Sequence, residues 1–344
     1  MRIGIAFDLK SDVARRAGEP DDIAEEYESA ETIAGVAAAL KLLGHEPFEL
    51  GGGGRFARVL LERSEAGTID LVFNNAEGRG SRSREAQVPA LCEILGVPYT
   101  HSDPLALALS LDKAMTKRVA LGHGIPTAPF CLVATLAELE SAEVPPFPVV
   151  AKPDHEGSSM GIGRGSICRD ARELSECVAR LLRDYRQPVL VEAFLPGAEV
   201  TVGIVGSGAA ASAIGAMEIA PRRPPFLYSL DVKRNYLEEV DYHVPPRLPR
   251  ETMSAAERTA LAAYRALGCR DVARVDIRLD AAGRPCLLEV NPLPGLDPVR
   301  GDLPILCSRL GIPYERLIAT IVDGAIARAN LSPAEEKHGL HRRA

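Results

Sequence analysis

The chain has 344 residues, 46% of them hydrophobic and 25% charged, with a net charge of −7. That is material for a core and about two or three domains; a mildly acidic chain without a long basic run is a poor candidate for a nucleic-acid binder, and no apolar run reaches membrane-spanning length. Seven scattered cysteines with no CxxC pair predict reduced thiols in a cytoplasmic protein and no structural zinc.

The N-terminus, MRIGIAFDLK, enters a strand pattern directly, with none of the features of a signal peptide. Arg2–Phe7 reads as an apolar strand, ESAETIAGVAAALKLLGHE as an amphipathic helix closed by Gly44, and PFEL as a short strand before Gly51–Gly54. RFARVLLERSEAG is a helix, TIDLVFNNAEG a strand, SREAQVPALCEILGVP a helix and YTHSD a strand end. Alternating β and α segments predict a parallel sheet covered by helices. The run of four glycines lacks GxGxxG spacing and a Lys-Ser/Thr ending, so a flexible turn is the better reading than a phosphate loop.

From Pro104 the texture changes. LALALSLDKAMTKRVALGHGIPTAPF reads as one long helix, and PFPVVAKPDHEGSSMGIGR as strand, glycine-rich loop and strand, a hairpin with a mobile tip. ARELSECVARLLRDY is a helix, and PVLVEAFLPGAEVTVGIVG supplies two strands around a Pro-Gly turn. A third block holds the loop APRRPPFLYSLDVKRNY, the helix SAAERTALAAYRALG, the hairpin VARVDIRLDAAGRPCLLEVN and the helix PYERLIATIVDGAIARA. The end, SPAEEKHGLHRRA, reads as a frayed tail. The expected domains are 1–103, 104–195 and 196–330, with a tail at 331–344.

Three stretches carry candidate chemistry. In an extended chain successive side chains point to opposite faces, so Glu289 and Asn291 share a face, as do Arg274 and Asp276. Turning about Ala281–Gly283 sets Asp276 roughly opposite Glu289. Two carboxylates and an amide oxygen then meet, the hard oxygen set that magnesium on a phosphate requires. The alternative is the solvent-facing side of an amphipathic hairpin, against which Leu287 and Leu288 argue by making the strand mostly buried. In AKPDHEGSSMGIG, Lys152 ends an apolar strand where it can deliver charge to a phosphate. Gly157, Gly161 and Gly163 let amides approach anionic oxygens, and Ser158 and Ser159 add hydroxyl donors; an ordinary Gly-Ser turn is the alternative. In VLVEAFLPGAEVTV, Glu192 and Glu199 can hold an adenine amino group and ribose hydroxyls beside Phe194 and Leu195, or are two surface acids.

Together and in this order, LSLDKAMTK, KPDHEGSSMG and RVDIRLD…LLEVNPLPG resemble the ATP-grasp superfamily, and within it the D-alanine–D-alanine ligase family. EGRGSRSREAQVPALCEILGVPYTHSD resembles that family's N-terminal substrate segment, and the resemblance runs from about Asp70 to Val322. It implies an α/β and α+β chain: an N-terminal Rossmann-like domain, then a small central and a C-terminal part that form the ATP-grasp fold. It implies a carboxylate–amine ligase that uses ATP and two magnesium ions, with manganese as a substitute, acts through an acyl phosphate, takes small amino acid or carboxylate and amine substrates, and forms a homodimer. By resemblance, Lys113, Lys152 and Lys233 contact phosphates, and Ser158 and Ser159 lie in the phosphate-covering loop. Glu192 with Ala193, Phe194 and Leu195 holds adenine, and Glu199 holds ribose. Asp276, Glu289 and Asn291 bind metal, Arg274 stabilises the reacting centre, and Ser158 positions the first amino acid.

The substrate segments depart from the family. The glutamate that holds the first substrate's amine has Glu28 or Glu31 as its candidates here. Glu77 stands where the family places histidine, Arg234 where it places tyrosine. LDPVRGDLP replaces its hydroxyl-rich carboxylate site, with Arg300 a candidate for a carboxylate and Asp297 for an amine. Arg234 and Arg300 predict a substrate with an additional anionic or extended polar group, and little dipeptide from D-alanine alone. Two other readings stay open: a ligase for other amino acids or small carboxylates in specialised metabolism, and an ATP-binding protein without catalysis.

Overall fold

The computed structural model describes residues 1–331 except 14, 16, 17, 223–228, 230, 231 and 233. The expected tail and Lys233 therefore lie outside the described residues, apart from Leu331.

The chain opens with three parallel strands, β1 (Arg2–Phe7), β2 (Glu46–Gly51) and β3 (Leu71–Asn75), in the order β2-β1-β3. Their connections run through α1 (Ala30–Leu42) and α2 (Gly53–Glu65), and α3 (Gln87–Leu95) follows β3. α1 begins where Ser29 accepts a hydrogen bond from the Thr32 amide, a cap worth about 1 kcal/mol. The four-glycine run is a turn from β2 into α2. A Cβ at Gly52 would lie 2.2 Å from the Asp8 carboxylate, so that position admits only glycine.

The segment read as one helix is two, α4 (Pro104–Leu111) and α5 (Lys113–Gly122). The break falls at Asp112, which is extended and caps α5 by accepting from the Met115 amide at 2.8 Å. A side-chain acceptor at that point offers the chain a helix start, and it wins over continuation.

Two antiparallel sheets follow. The first contains β4 (Phe130–Val133), β5 (Val149–Pro153), β6 (Ile167–Cys168) and β7 (Val189–Ala193), in the order β4-β7-β5-β6. α6 (Leu136–Ser141) and α7 (Ala171–Tyr185) flank it, and α7 buries Leu174, Val178 and Leu181 against its strands. The second contains β8 (Glu199–Val205), β9 (Ser212–Pro221), β10 (Val240–His243), β11 (Val272–Leu279) and β12 (Pro285–Asn291), in the order β10-β9-β8-β11-β12. The Pro-Gly turn between β7 and β8 thus joins two sheets rather than two arms of a hairpin. The loop after β5 also runs further than expected: its return strand starts at Ile167.

α8 (Tyr236–Glu239) precedes β10, and α9 (Arg250–Ala266) covers the second sheet. Ala256, Ala260 and Ala263 on α9 are buried against Val200, Val202 and Val275, since small side chains at helical spacing permit close approach. α10 (Asp302–Arg309) and α11 (Tyr314–Arg328) complete the chain. Leu303, Leu306, Ile318 and Ile321 share one apolar cluster with Ile3, Ile5 and Phe7 of the parallel sheet. The N-terminal sheet is therefore fastened to the C-terminal helices by buried apolar surface, and the site forms where these parts meet.

Candidate active site

The hairpin of β11 and β12 pairs Arg274 with Asn291 and Asp276 with Glu289, and the register slips between Asp276 and Ile277 so that Ile277 faces Leu287. Leu288 is the extra residue of a bulge, which re-aims side chains. Leu287 and Val290 both enter the core cluster under α9, while Leu288 and Glu289 line a cavity between the two antiparallel sheets. Strict alternation would put Leu287 on Glu289's face; the bulge separates them.

Asp276 accepts from Thr201 Oγ1 at 2.8 Å, from Asn291 Nδ2 at 3.1 Å and from Arg274 Nη2 at 3.0 Å. Arg274 also reaches Asp302 at 3.4 Å, an acid at the start of α10 that motif reading passed over. Glu289 pairs with Lys113 Nζ at 2.9 Å. Burial opposes ionisation of Glu289, but Lys113, Lys152 and Arg274 outweigh it and hold its pKa down at about 2.

Lys113 stands in the first turn of α5. The loop after β5 is tied to that turn, with the Ala114 amide donating to Asp154 Oδ1 at 2.9 Å and the Lys113 amide to the Asp154 carbonyl at 3.1 Å. One turn further, Lys117 is fully buried and pairs with Glu192 Oε2 at 2.7 Å, while Lys152 pairs with Glu192 Oε1 at 2.6 Å. Burial raises the Glu192 pKa, yet the two lysines overcome it and bring it down to about 2. Lys117 was missed in the sequence, although its i,i+4 spacing from Lys113 places both on one helix face. Val150, Ala193, Phe194, Leu195 and Glu199 complete the cavity. Glu199 pairs there with Arg278 at 3.1 Å, and the Arg278 guanidinium lies 5.0 Å from the Phe194 ring centroid. Ser159 lines the same cavity.

A second cavity adjoins it, sharing Arg274 and Glu289, and is bordered by Ser158, Asn291, Glu26, Glu77 and Glu85. Ser158 and Ser159 have φ of 48° and 59°, left-handed geometry that costs a non-glycine residue about 1 kcal/mol or more. Such strain concentrates where a loop must present its groups to a ligand. The segment before α1 folds over this loop. Asp22 accepts from the Gly161 amide at 3.0 Å and from the Tyr185 hydroxyl at 2.7 Å. A Cβ on Gly157 would lie 2.1 Å from Glu26 Oε1, so glycine there admits the carboxylate. The carboxylate oxygens of Glu26, Glu77 and Glu85 lie within 4.8 Å of one another. Arg84 pairs with Glu26 and, at 3.4 Å, with Glu156. Burial and neighbouring carboxylates push Glu77 well above the usual range and Glu85 to about 8.

Glu77 thus borders the cavity as expected, but Glu28 and Glu31 do not. Glu28 is buried beside Asn75 and Thr32, and Glu31 is exposed on the first turn of α1. Glu26 and Glu85 come instead, from an irregular stretch and a short 3-10 turn that carry no periodic signal. Arg234 is exposed and pairs with Glu25, and Arg300 is exposed and pairs with Asp297 at 3.3 Å. Neither borders the cavity, so the expected anionic substrate group finds no open cation there. The wall is acidic.

The model for the D-alanine–D-alanine ligase C-terminus matches residues 121–323. D-alanine–D-alanine ligase of Bordetella petrii is 37% identical over 280 residues, 80% of this chain and 82% of that protein. The one of Gloeobacter violaceus is 32% identical over 85% of this chain and 92% of its own length. A protein of Sinorhizobium fredii, y4sG, is 33% identical over 85% of this chain and 87% of its own. The architecture matches that of D-alanine–D-alanine ligase from Bacillus anthracis, solved in complex with ATP, with a TM-score of 0.71 and 23% identity over 96% of this chain and 99% of that one. A second structure of that enzyme gives 0.73 and 24% over the same shares. The shared architecture is the ATP-grasp fold.

Proposed function

The chain belongs to the D-alanine–D-alanine ligase family and is an ATP-dependent, ADP-forming carboxylate–amine ligase, and we propose that it joins two small amino acids through an acyl phosphate where its two cavities meet. The observation that carries this reading is the hairpin register, which sets Asp276 against Glu289 and Arg274 against Asn291, with Arg274, Asp276 and Glu289 lining one cavity with Lys152.

The residues fit magnesium. Two carboxylates and an amide oxygen form a hard donor set, and each carboxylate is already held by a cation, Lys113 or Arg274, at a place suited to a metal's charge. Asp276, Glu289 and Asn291 would hold two magnesium ions, which when bound neutralise phosphate charge and orient the γ-phosphoryl group. Manganese, with the same preference for oxygen, substitutes.

The chain's own groups position and polarise. Lys113 and Lys152 each carry one ion pair that a phosphate oxygen can replace, and Lys233 is assigned to the γ-phosphate by resemblance. Glu192 and the Ala193–Leu195 backbone take adenine, and Glu199 takes ribose. Ser158 and Ser159 present hydroxyls and amides from the strained loop. One substrate carboxylate attacks the γ-phosphate and releases ADP, and an amine then displaces phosphate from the activated carbonyl. Arg274, borne on a strand and braced by Asp276 and Asp302, faces the negative charge that develops at that carbonyl. A cytoplasmic homodimer is the arrangement proposed with this chemistry; among the described residues, no helix is long and apolar enough to cross a membrane.

Hydroxylamine tests the reading. With ATP, magnesium and the correct carboxylate, the acyl phosphate is trapped as a hydroxamate while ADP forms. ADP release without a hydroxamate would sink the acyl-phosphate step, and no ADP with any pooled amino acids would sink catalysis itself.

The loop gives a separate expected result. The amides of Gly157 and Ser158 exchange hydrogen rapidly in the free protein and become protected with ATP and magnesium, because phosphate oxygens supply them with partners, whereas the amides of Met160 to Gly163 are already held within the loop and by Asp22. Equal exchange with and without nucleotide counts against a phosphate-covering role.

A further inference from the structure

The cavity beside Ser158 is lined by more carboxyl groups than an alanine can use. Its volume is about 70 Å³. It is lined by Arg274, Glu289 and Asn291, where the ligase reading puts the reacting carboxylate, and by Glu26, Glu77 and Glu85. Glu26 is matched by Arg84. No cationic group of the described residues comes within 4.0 Å of Glu77 or Glu85, and Glu85 also makes no hydrogen bond there although it is only 7% exposed. A carboxyl group buried against a cavity without a counter-ion favours its neutral form, and it ionises once a ligand supplies the opposite charge.

An α-ammonium can satisfy one of these two acids. The other needs a second cation, and the small volume keeps its tether short. Building on the ligase reading, we propose that the first substrate is a short amino acid carrying a second ammonium group, a diamino acid of the diaminopropionate or diaminobutyrate kind, bound with both ammonium groups among Glu26, Glu77 and Glu85. Glu77 and Glu85 are therefore the residues that determine specificity, and they act by matching charge rather than by shape. This reverses the expectation from Arg234 and Arg300, whose charges are spent on Glu25 and Asp297.

The test uses the full-length protein with ATP and magnesium. Phosphate release is measured with each enantiomer of alanine, diaminopropionate, diaminobutyrate and lysine, alone and in pairs with D-alanine. A short diamino acid is expected to exceed alanine in kcat/KM by about tenfold or more, the worth of one charge-assisted hydrogen bond. In Glu77→Gln and Glu85→Gln, KM for the diamino acid rises by a similar factor with a smaller change in kcat, and the preference over alanine shrinks. Wild-type preference for alanine overturns the inference while leaving the ligase reading intact, and so does a preference that both variants leave unchanged. Silence with every amino acid sinks the ligase reading instead. Titration calorimetry with diaminopropionate and a non-hydrolysable ATP analogue then decides the present one, and no heat of binding overturns it. Stoichiometric binding of manganese without nucleotide, lost in Glu77→Gln, would also overturn it and make the three glutamates a metal centre.

Discussion

Replacing Glu289 by glutamine is expected to lower kcat by about two to three orders of magnitude, the scale of losing one preorganised electrostatic contact at a reacting group. The change keeps side-chain volume and removes a charge that would neutralise metal. It also removes the carboxylate paired with Lys113, which is nearly buried, which otherwise donates to the Glu156 carbonyl, and whose pKa Glu289 raises against the opposing effect of burial. A moderate fall in melting temperature therefore accompanies the kinetic loss, with the far-ultraviolet dichroism of the wild type retained. Saturating ATP should restore part of that stability, since a phosphate supplies Lys113 with a new partner. Because the Glu289 pKa is about 2, the residue is ionised throughout the working pH range, and the wild-type profile of kcat above about pH 4 owes nothing to its titration. Near-normal turnover of the variant at saturating magnesium would remove Glu289 from the site.

Replacing Glu192 by glutamine is expected to lower unfolding free energy by about 3–5 kcal/mol, the usual consequence of stranding a buried charge. Two lysines lose their ion pair here, and Lys117 keeps only its hydrogen bond to Thr127 Oγ1 at 2.7 Å. Lys117 is fully buried and Lys152 nearly so, and both reach the same carboxylate. Burial already lowers the Lys117 pKa, so in the variant Lys117 sheds its proton more readily and the loss is smaller at alkaline pH. Adding Lys117→Met to Glu192→Gln removes one stranded charge and recovers part of the loss. The acid limb gives a second readout. The folded pKa of Glu192 is about 2 against an ordinary 4.5, so its contribution is fully present above the ordinary value and lost as pH falls from about 4.5 towards 2. Urea titrations across that window should show a shallower pH dependence in the variant than in the wild type. Unchanged stability at pH 7 would mean that neutral acceptors such as Thr127 Oγ1 suffice for the two lysines and that the ion pairs contribute nothing. An unchanged acid limb would mean that the carboxylate is not held by them.

The hairpin of β11 and β12 was legible because everything it needs is local. Its turn, its alternation and the pairing of Asp276 with Glu289 lie within one short stretch of chain, and only the bulge at Leu288 escaped, since an extra residue leaves no mark on composition. The lysine and glycine segment was legible for the same reason, though the reading stopped at Lys113 and passed over Lys117. The break at Asp112 was also written locally, as an acid three residues before the amide it caps, but the apolar pattern on either side concealed it.

The substrate end was not legible. Glu26 precedes α1 in an irregular stretch, and Glu85 sits in a single 3-10 turn. Neither position has a period from which to infer a face, and Glu28 and Glu31 were equally plausible in the same stretch. Glu26 is brought over Gly157 by the docking of its segment on the phosphate loop, through Asp22 and Tyr185, a contact between residues far apart in the chain. Charge signs were misleading for a related reason: Arg234 and Arg300 count as cations in the sequence, and in the folded chain both are already paired. By itself, then, the sequence determined the grouping of Asp276, Glu289 and Asn291 proposed for the nucleotide end, because short-range alternation and turns bring those groups together. Only the tertiary structure decided the acidic wall proposed to meet the substrate, because that wall is assembled from separate segments whose pairings exist only once the chain is folded.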